Sequence, residues 1–238
     1  MSDLSRLRPV RDLGAVASIL IAATSAMAVV FAAVLWHSNS VVHGYAAGEA
    51  GVTDEDLTAS DLLVGVASLV FVVLALAAAV VFVVWLWRAR RNAEALSPVH
   101  HRRRRGWIIG GWVCPIVQLW FPYQIVQDVW RGSREAATAD DEYFFVVARS
   151  RLVLAWWLAW VTAVVLDRVV ARAEPESPEA YQSMTNVNMV GTAVTVLAGV
   201  LVILVIREIS GWQTRRLHAQ PPAGPVQQAV VDGPAQPV

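Results

Sequence analysis

The chain has 238 residues, 56% hydrophobic and 16% charged, with a mean hydropathy of +0.50 and no formal net charge at pH 7. Soluble domains carry about 25% charged residues, so this composition excludes an ordinary soluble domain and points to a membrane protein. All 19 basic residues are arginine, which excludes lysine-based phosphate binding, Schiff-base chemistry and lysine general bases; the single cysteine, Cys114, excludes an intrachain disulfide or a cysteine metal cluster.

Residues 1–13 read as a polar cytoplasmic tail carrying Arg6, Arg8 and Arg11. The apolar run 14–36 follows. Its flanking arginines and Ala26-Met27-Ala28 imitate a secretory signal, but the run continues to Trp36 with no polar stretch, so it reads as an uncleaved anchor. Further runs occupy residues 62–87, 152–171 and 187–206. Each offers close to the ~20 residues needed to cross a hydrocarbon core, and in lipid such a run must be helical. Ser18, Ala22 and Ala26 in the first run, and Gly191, Thr195 and Gly199 in the last, repeat small residues every four positions. That spacing allows close helix contact, either within one bundle or between two copies of the chain.

The segment between the second and third runs is the unusual one. As a straight helix, the 16 residues 107–122 would reach only ~24 Å, and Pro115 and Pro122 interrupt it. Arginine counts agree with a segment that does not cross: residues 88–151 hold eleven, loop 37–61 holds none, and residues 168–186 hold two. Only a segment that enters and returns, or lies at the interface, keeps most arginines on one side, with both termini cytoplasmic. The predicted fold is therefore all-α integral membrane, with four transmembrane helices plus a short re-entrant or interfacial cytoplasmic segment over residues 107–131. The membrane domain spans 14–210, and 211–238 reads as a disordered cytoplasmic tail, rich in Pro, Gln, Gly and Ala beyond Gln220.

A dipping segment needs a surface to cover it. Trp112 and Trp120 are expected to pack near Trp156, Trp157 and Trp160; the competing reading is an aromatic belt at headgroup level. Residues 123–131 pattern as an amphipathic interfacial helix, with Gln124, Gln127, Asp128 and Arg131 on its polar side. Arg88, Arg91 and Asn92 either serve topology and surface pairing or donate to carbonyls freed around Pro115 and Pro122. Asp140, Asp141 and Glu142 are expected to cap the third span rather than hold a metal.

WLWRARRNAEAL (85–96) followed by GWIIGGWVCPIVQLWFPYQIVQDVWRGS (106–133) resembles a bacterial integral-membrane family catalogued as a domain of unknown function. The matching positions are Trp85, Arg88, Arg91 and Asn92, then Gly106, Trp107, Trp112, Pro115, Leu119, Trp120, Pro122, Gln124, Trp130 and Arg131, within a resemblance over roughly residues 14–210. Gln118 stands where the family shows asparagine, so a role for a short amide there does not carry over. The resemblance implies four spans joined by one motif-rich cytoplasmic connection, and nothing catalytic.

No G-x-S-x-G, H-E-x-x-H, G-x-G-x-x-G or C-x-x-C motif occurs, the histidines form no ligand pattern, and Cys114-Pro115 alone is too short to signal haem. No cofactor or metal is expected. Asp167 and Arg168 are expected to snorkel or pair locally, and no other carboxylate falls inside a span. Arg102, Arg103, Arg104 and Arg105 form a cationic run suited to anionic lipid headgroups; with no reading domain, nucleic acid is not expected. The leading expectation is a non-enzymatic protein of the cell membrane that binds a lipid or protein partner at its Trp/Arg-rich cytoplasmic face, possession of a homo-oligomeric state being left open. The alternative is a small transporter or channel-like protein whose pathway the re-entrant segment lines. An enzyme ranks third and would need a cleft near Asp128, Arg131 and the acids at 140–142.

Overall fold

A backbone with no water around it must satisfy its own amides, and long apolar runs do so as helices. The computed structural model describes residues 8–96, 101–114, 116–134, 149–173 and 177–219. They form α1 (Arg11–Ala46), α2 (Asp54–Leu96), α3 (Trp107–Val113), a 3-10 turn (Val117–Leu119), α4 (Phe121–Ser133), α5 (Arg151–Val170) and α6 (Pro178–His218). Four of these, α1, α2, α5 and α6, are long and apolar enough to cross a membrane. Their outward faces carry large apolar side chains such as Ile19, Leu69, Leu76, Val80 and Leu158. Water would not tolerate so continuous an apolar surface, whereas lipid requires it.

The helices outrun the apolar segments that define them. At 1.5 Å per residue the 43-residue α2 is ~64 Å long, about twice the ~30 Å of hydrocarbon, so its last turns stand beyond the apolar layer. Its polar extension holds because Arg90 and Glu94 pair across one turn at 2.9 Å, and because Asp54, Glu55 and Asp56 complement its N-terminal dipole. Helix α6 likewise continues to His218, so residues 211–218 are helical and packed rather than part of a disordered tail. Residues 220–238, and the acids at 140–142, lie outside the described residues. The cap of α5 is Ser150, whose hydroxyl accepts the Val153 N–H.

The four long helices form an incomplete ring. Helix α2 packs on α1, α1 on α6, and α6 on α5, while α2 and α5 make no comparable contact. Small residues set the close approaches: a Cβ at Gly199 would collide with the Ser25 hydroxyl of α1. The small-residue stripe of the last span is therefore used at this point inside one chain. From one end the gap between α2 and α5 is filled by α4, which packs on α2, α5 and α6. Gly132 makes that possible, since a side chain there would meet Ala93 at 3.1 Å. The start of α1, the end of α2, α4 and the end of α6 all meet at this arginine-rich end; loop 47–53 and residues 171–173 lie at the other.

Candidate functional site

The two prolines mark the edges of helices. Cys114, immediately before Pro115, is extended (φ −79°, ψ 116°) and ends α3, as a residue preceding proline prefers. Pro122 lies in the first turn of α4, where its missing N–H leaves no helical bond unmade. The seven-residue α3 is too short to cross anything, and the chain folds back on itself. Trp107 sets its ring edge-on to Phe121 at 4.7 Å, Gly111 faces Phe121 and Ile125, and Gln124 accepts a hydrogen bond from the Arg103 guanidinium at 2.9 Å. That guanidinium also lies 3.9 Å over the Phe121 ring.

Trp112, at the tip of α3, carries the hairpin into the gap. Its ring meets Phe82 of α2 at 5.8 Å and Trp160 of α5 at 5.7 Å, both edge-on, with Trp156 at 6.5 Å. Such pairs contribute about 0.5–1.5 kcal/mol each beyond their burial. Trp120 does not join them. It points away, half exposed, and among the described rings touches only Phe121. Trp107 is similarly half exposed and Gly106 is open to solvent.

Helix α4 departs from the expected interfacial helix. Phe121, Pro122 and every residue from Ile125 to Ser133 are buried, polar ones included, because α2, α5 and α6 cover both of its faces. Asp128, 6% exposed, accepts the Arg102 backbone N–H at 3.0 Å and pairs with the Arg102 and Arg131 guanidinia at 3.4 and 3.9 Å. Burial raises its carboxyl above the ordinary range, and the Arg102 contacts only partly offset this. Trp130 donates to Glu208 at 3.0 Å, stacks edge-on to Trp212 at 5.4 Å and receives Arg134 over its ring.

Asn92 does not reach the proline carbonyls. Its amide holds the chain at the mouth of α1 through the Arg8 N–H (3.1 Å) and C=O (2.8 Å), and donates to Gln213 of α6 at 3.0 Å. Gln213 then donates to the Ala89 carbonyl and the Ser133 hydroxyl, each at 2.8 Å. Trp85, fully buried, donates to Ser210 at 3.1 Å on the same helix. Among the described residues neither Arg88 nor Arg91 bonds a carbonyl; that work falls to Arg90, 2% exposed, which donates to Arg103 O, and to Arg216, which donates to Arg134 O. Pro115 lies outside the described residues. Helical spacing already pairs Arg90 with Glu94, and the structure forms that pair; Gln213 and Ser133 were not singled out, and their only signal was polarity on otherwise apolar helix faces.

The cationic run is largely engaged inside the chain. Arg102 pairs with Asp128, Arg103 with Gln124 and Arg105 with Glu94 at 2.6 Å, leaving Arg104 outward. His101 lies under this clasp with its Nδ1 buried and without a hydrogen-bond partner among the described residues. Burial, aided by the Arg90 charge, depresses its pKa to about 4. An unfolded histidine titrates near 6.5, so the unfolded chain binds the extra proton between those values and stability falls as pH drops through that window. Midpoints of thermal unfolding should therefore decrease from pH 7 to pH 5, and His101→Gln should flatten the decrease. Asp128, whose pKa burial raises, acts in the opposite sense, adding stability as pH falls through its folded-state pKa. An unchanged slope in His101→Gln would remove His101 from the account.

Of the open features, two are lined in part by α3. One is a cavity of about 230 Å³ lined by Arg8, Arg88, Arg91 and Asn92 on one side, and by Val83, Val84, Trp87 and Ile109 on the other. The second is a cleft of about 490 Å³ in the unfilled part of the gap, with Phe82, Trp112, Trp156 and Trp160 at one end and Asp167 at the other. No group of three metal-ligating side chains is found among the described residues.

These helices and this hairpin define a multi-pass membrane protein, all-helical among the described residues, with four candidate spans. Residues 48–211 match the model of a domain of unknown function, DUF4328, and the chain belongs to that family. No curated protein and no solved structure matches it.

Proposed function

We propose that the protein is a non-enzymatic, multi-pass protein of the plasma membrane that binds anionic lipid headgroups at its arginine-rich end, which faces the cytosol together with both termini. The arginine distribution supports this orientation, since the opposite end carries Glu49, Asp54, Glu55, Asp56 and Asp61. One observation carries the binding. Arg8, Arg88 and Arg91 line a single cavity, and among the described residues none of the three has a carboxylate partner. Like charges brought together in this way repel unless an anion joins them. The facing wall of Val83, Val84, Trp87 and Ile109 suits the first methylenes of an acyl chain, so a phospholipid fits both sides. Arg88 and Arg91 thus leave the role of locking the hairpin for that of receiving a ligand, and Arg102, Arg103 and Arg105 serve as scaffold.

Each arginine near an anionic headgroup contributes about 1 kcal/mol. Purified protein in neutral detergent should gain thermal stability from added phosphatidylglycerol and little from phosphatidylcholine. Arg88→Gln/Arg91→Gln should lose that gain, while Arg104→Gln keeps most of it. Equal stabilisation by both lipids would overturn the assignment. A second reading, a small transporter whose pathway the hairpin lines, is favoured by one feature: Trp112 stands at one end of the α2–α5 cleft and Asp167 at the other.

A further inference from the structure

We infer that the cleft between α2 and α5 binds a lipophilic cation, held by its apolar body against the aromatic end and by its charge at Asp167. The inference goes beyond the headgroup site and does not rest on it. The cleft of about 490 Å³ continues into a smaller cavity of about 90 Å³, the two sharing Phe71, Ala163, Asp167 and Thr195. Together they have the size of a small-molecule site. From Trp156 to Asp167 along α5 is 11 residues, or ~16 Å, and Phe82 to Phe71 on α2 covers the same span, so the cleft runs along the bundle. Its walls are alanines 75, 78 and 79 of α2 and Ala198 and Gly199 of α6, small enough to leave room between helices.

The ends differ in chemistry. At one, Trp112, Trp156, Trp160 and Phe82 present ring faces and edges, which suit an apolar or aromatic body and attract a cation. At the other, the Asp167 side chain has no hydrogen bond or ion pair among the described residues, although Arg168 and Arg172 follow on the same helix. Asn188, Thr192 and Thr195 of α6 line the same small cavity, giving the carboxylate polar company without a counter-charge. Asp167 is exposed at this end of the cleft, so a cation seated there meets a negative charge that no described side chain pairs with. A lipid acyl chain would fill the walls equally well and leave Asp167 as it was. The acidic residues at that end, Glu49 in the loop and Asp54, Glu55 and Asp56 in the first turn of α2, raise the local concentration of cations.

The probes are tetraphenylphosphonium and its isosteric anion, tetraphenylborate, titrated calorimetrically against the full chain in neutral detergent. The phosphonium should bind and the borate should not. Asp167→Asn should weaken phosphonium binding ~10-fold, the loss of one charge pair worth about 1.4 kcal/mol, while Asp167→Glu retains it. Trp112→Ala should weaken it as well. Arg88→Gln/Arg91→Gln should leave it unchanged, so failure here is distinct from failure of the headgroup site. Equal binding of the two isosteres by the unmutated protein, which needs no variant to fold, would overturn the inference, as would undiminished binding in Asp167→Asn.

Discussion

Trp85→Ala is expected to be among the most damaging single changes in the chain, lowering stability by about 3–5 kcal/mol, the usual cost of emptying a buried tryptophan site. Trp85 is fully buried, lies tilted against Phe82 at 5.6 Å and closes the angle between α1, α2 and α6. Its indole nitrogen lies 3.1 Å from the Ser210 hydroxyl, and its ring stands against Gly14, where a Cβ would approach that nitrogen to 3.1 Å. Alanine would therefore open a cavity and strand the Ser210 hydroxyl at once. Trp85→Phe separates the two effects: it keeps most of the volume, and the lost hydrogen bond should cost about 1 kcal/mol. Unfolding midpoints in detergent would measure both, and an alanine variant within about 1 kcal/mol of the parent would refute the three-helix junction.

The amide relay at the arginine-rich end is the second site of large effect. Asn92→Ala is expected to cost about 2–4 kcal/mol, because it removes three hydrogen bonds and leaves the Gln213 carbonyl oxygen buried without its donor. The Arg8 groups are only partly buried and can turn to water, so they contribute less. Gln213→Ala should cost a similar amount by releasing Ala89 and Ser133. The double variant should cost less than the two single losses combined, by roughly 0.5–3 kcal/mol, since both remove the same Asn92–Gln213 bond. Strict additivity would show that the relay is not one network.

How far the residues alone revealed this arrangement depends on which physical constraint was acting. The four spans were legible because lipid leaves a twenty-residue apolar run no other conformation. The ends of the helices were not, because beyond the lipid they depend on pairs such as Arg90–Glu94 and on distant bonds such as Asn92–Gln213. Proline positions and length gave the hairpin, and the spacing of Trp156 and Trp160 gave the seat for Trp112. The partner of Trp120 was misjudged, since a helix that begins at Phe121 turns its cap residue away from the gap. The polar side of α4 looked like a surface for headgroups because periodicity reports amphipathicity and not what covers it. Here Asp128 and Arg131 face the Arg102 clasp instead. Arg88 and Arg91 were picked out by position in the motif, yet it is their neighbour Arg90 that donates to a backbone carbonyl, that of Arg103.

The last polar turns of α6 supply Glu208, Ser210, Trp212 and Gln213 to partners on α2 and α4. Those residues leave the ribosome after all four hydrophobic segments have been made. Membrane insertion can therefore be finished while the hairpin still lacks its anchor, and the maturing chain passes through a stage with its helices embedded but the gap between the second and third spans unsecured. Quality control of this protein would have to read the C-terminal turns of the final helix, not the number of segments inserted.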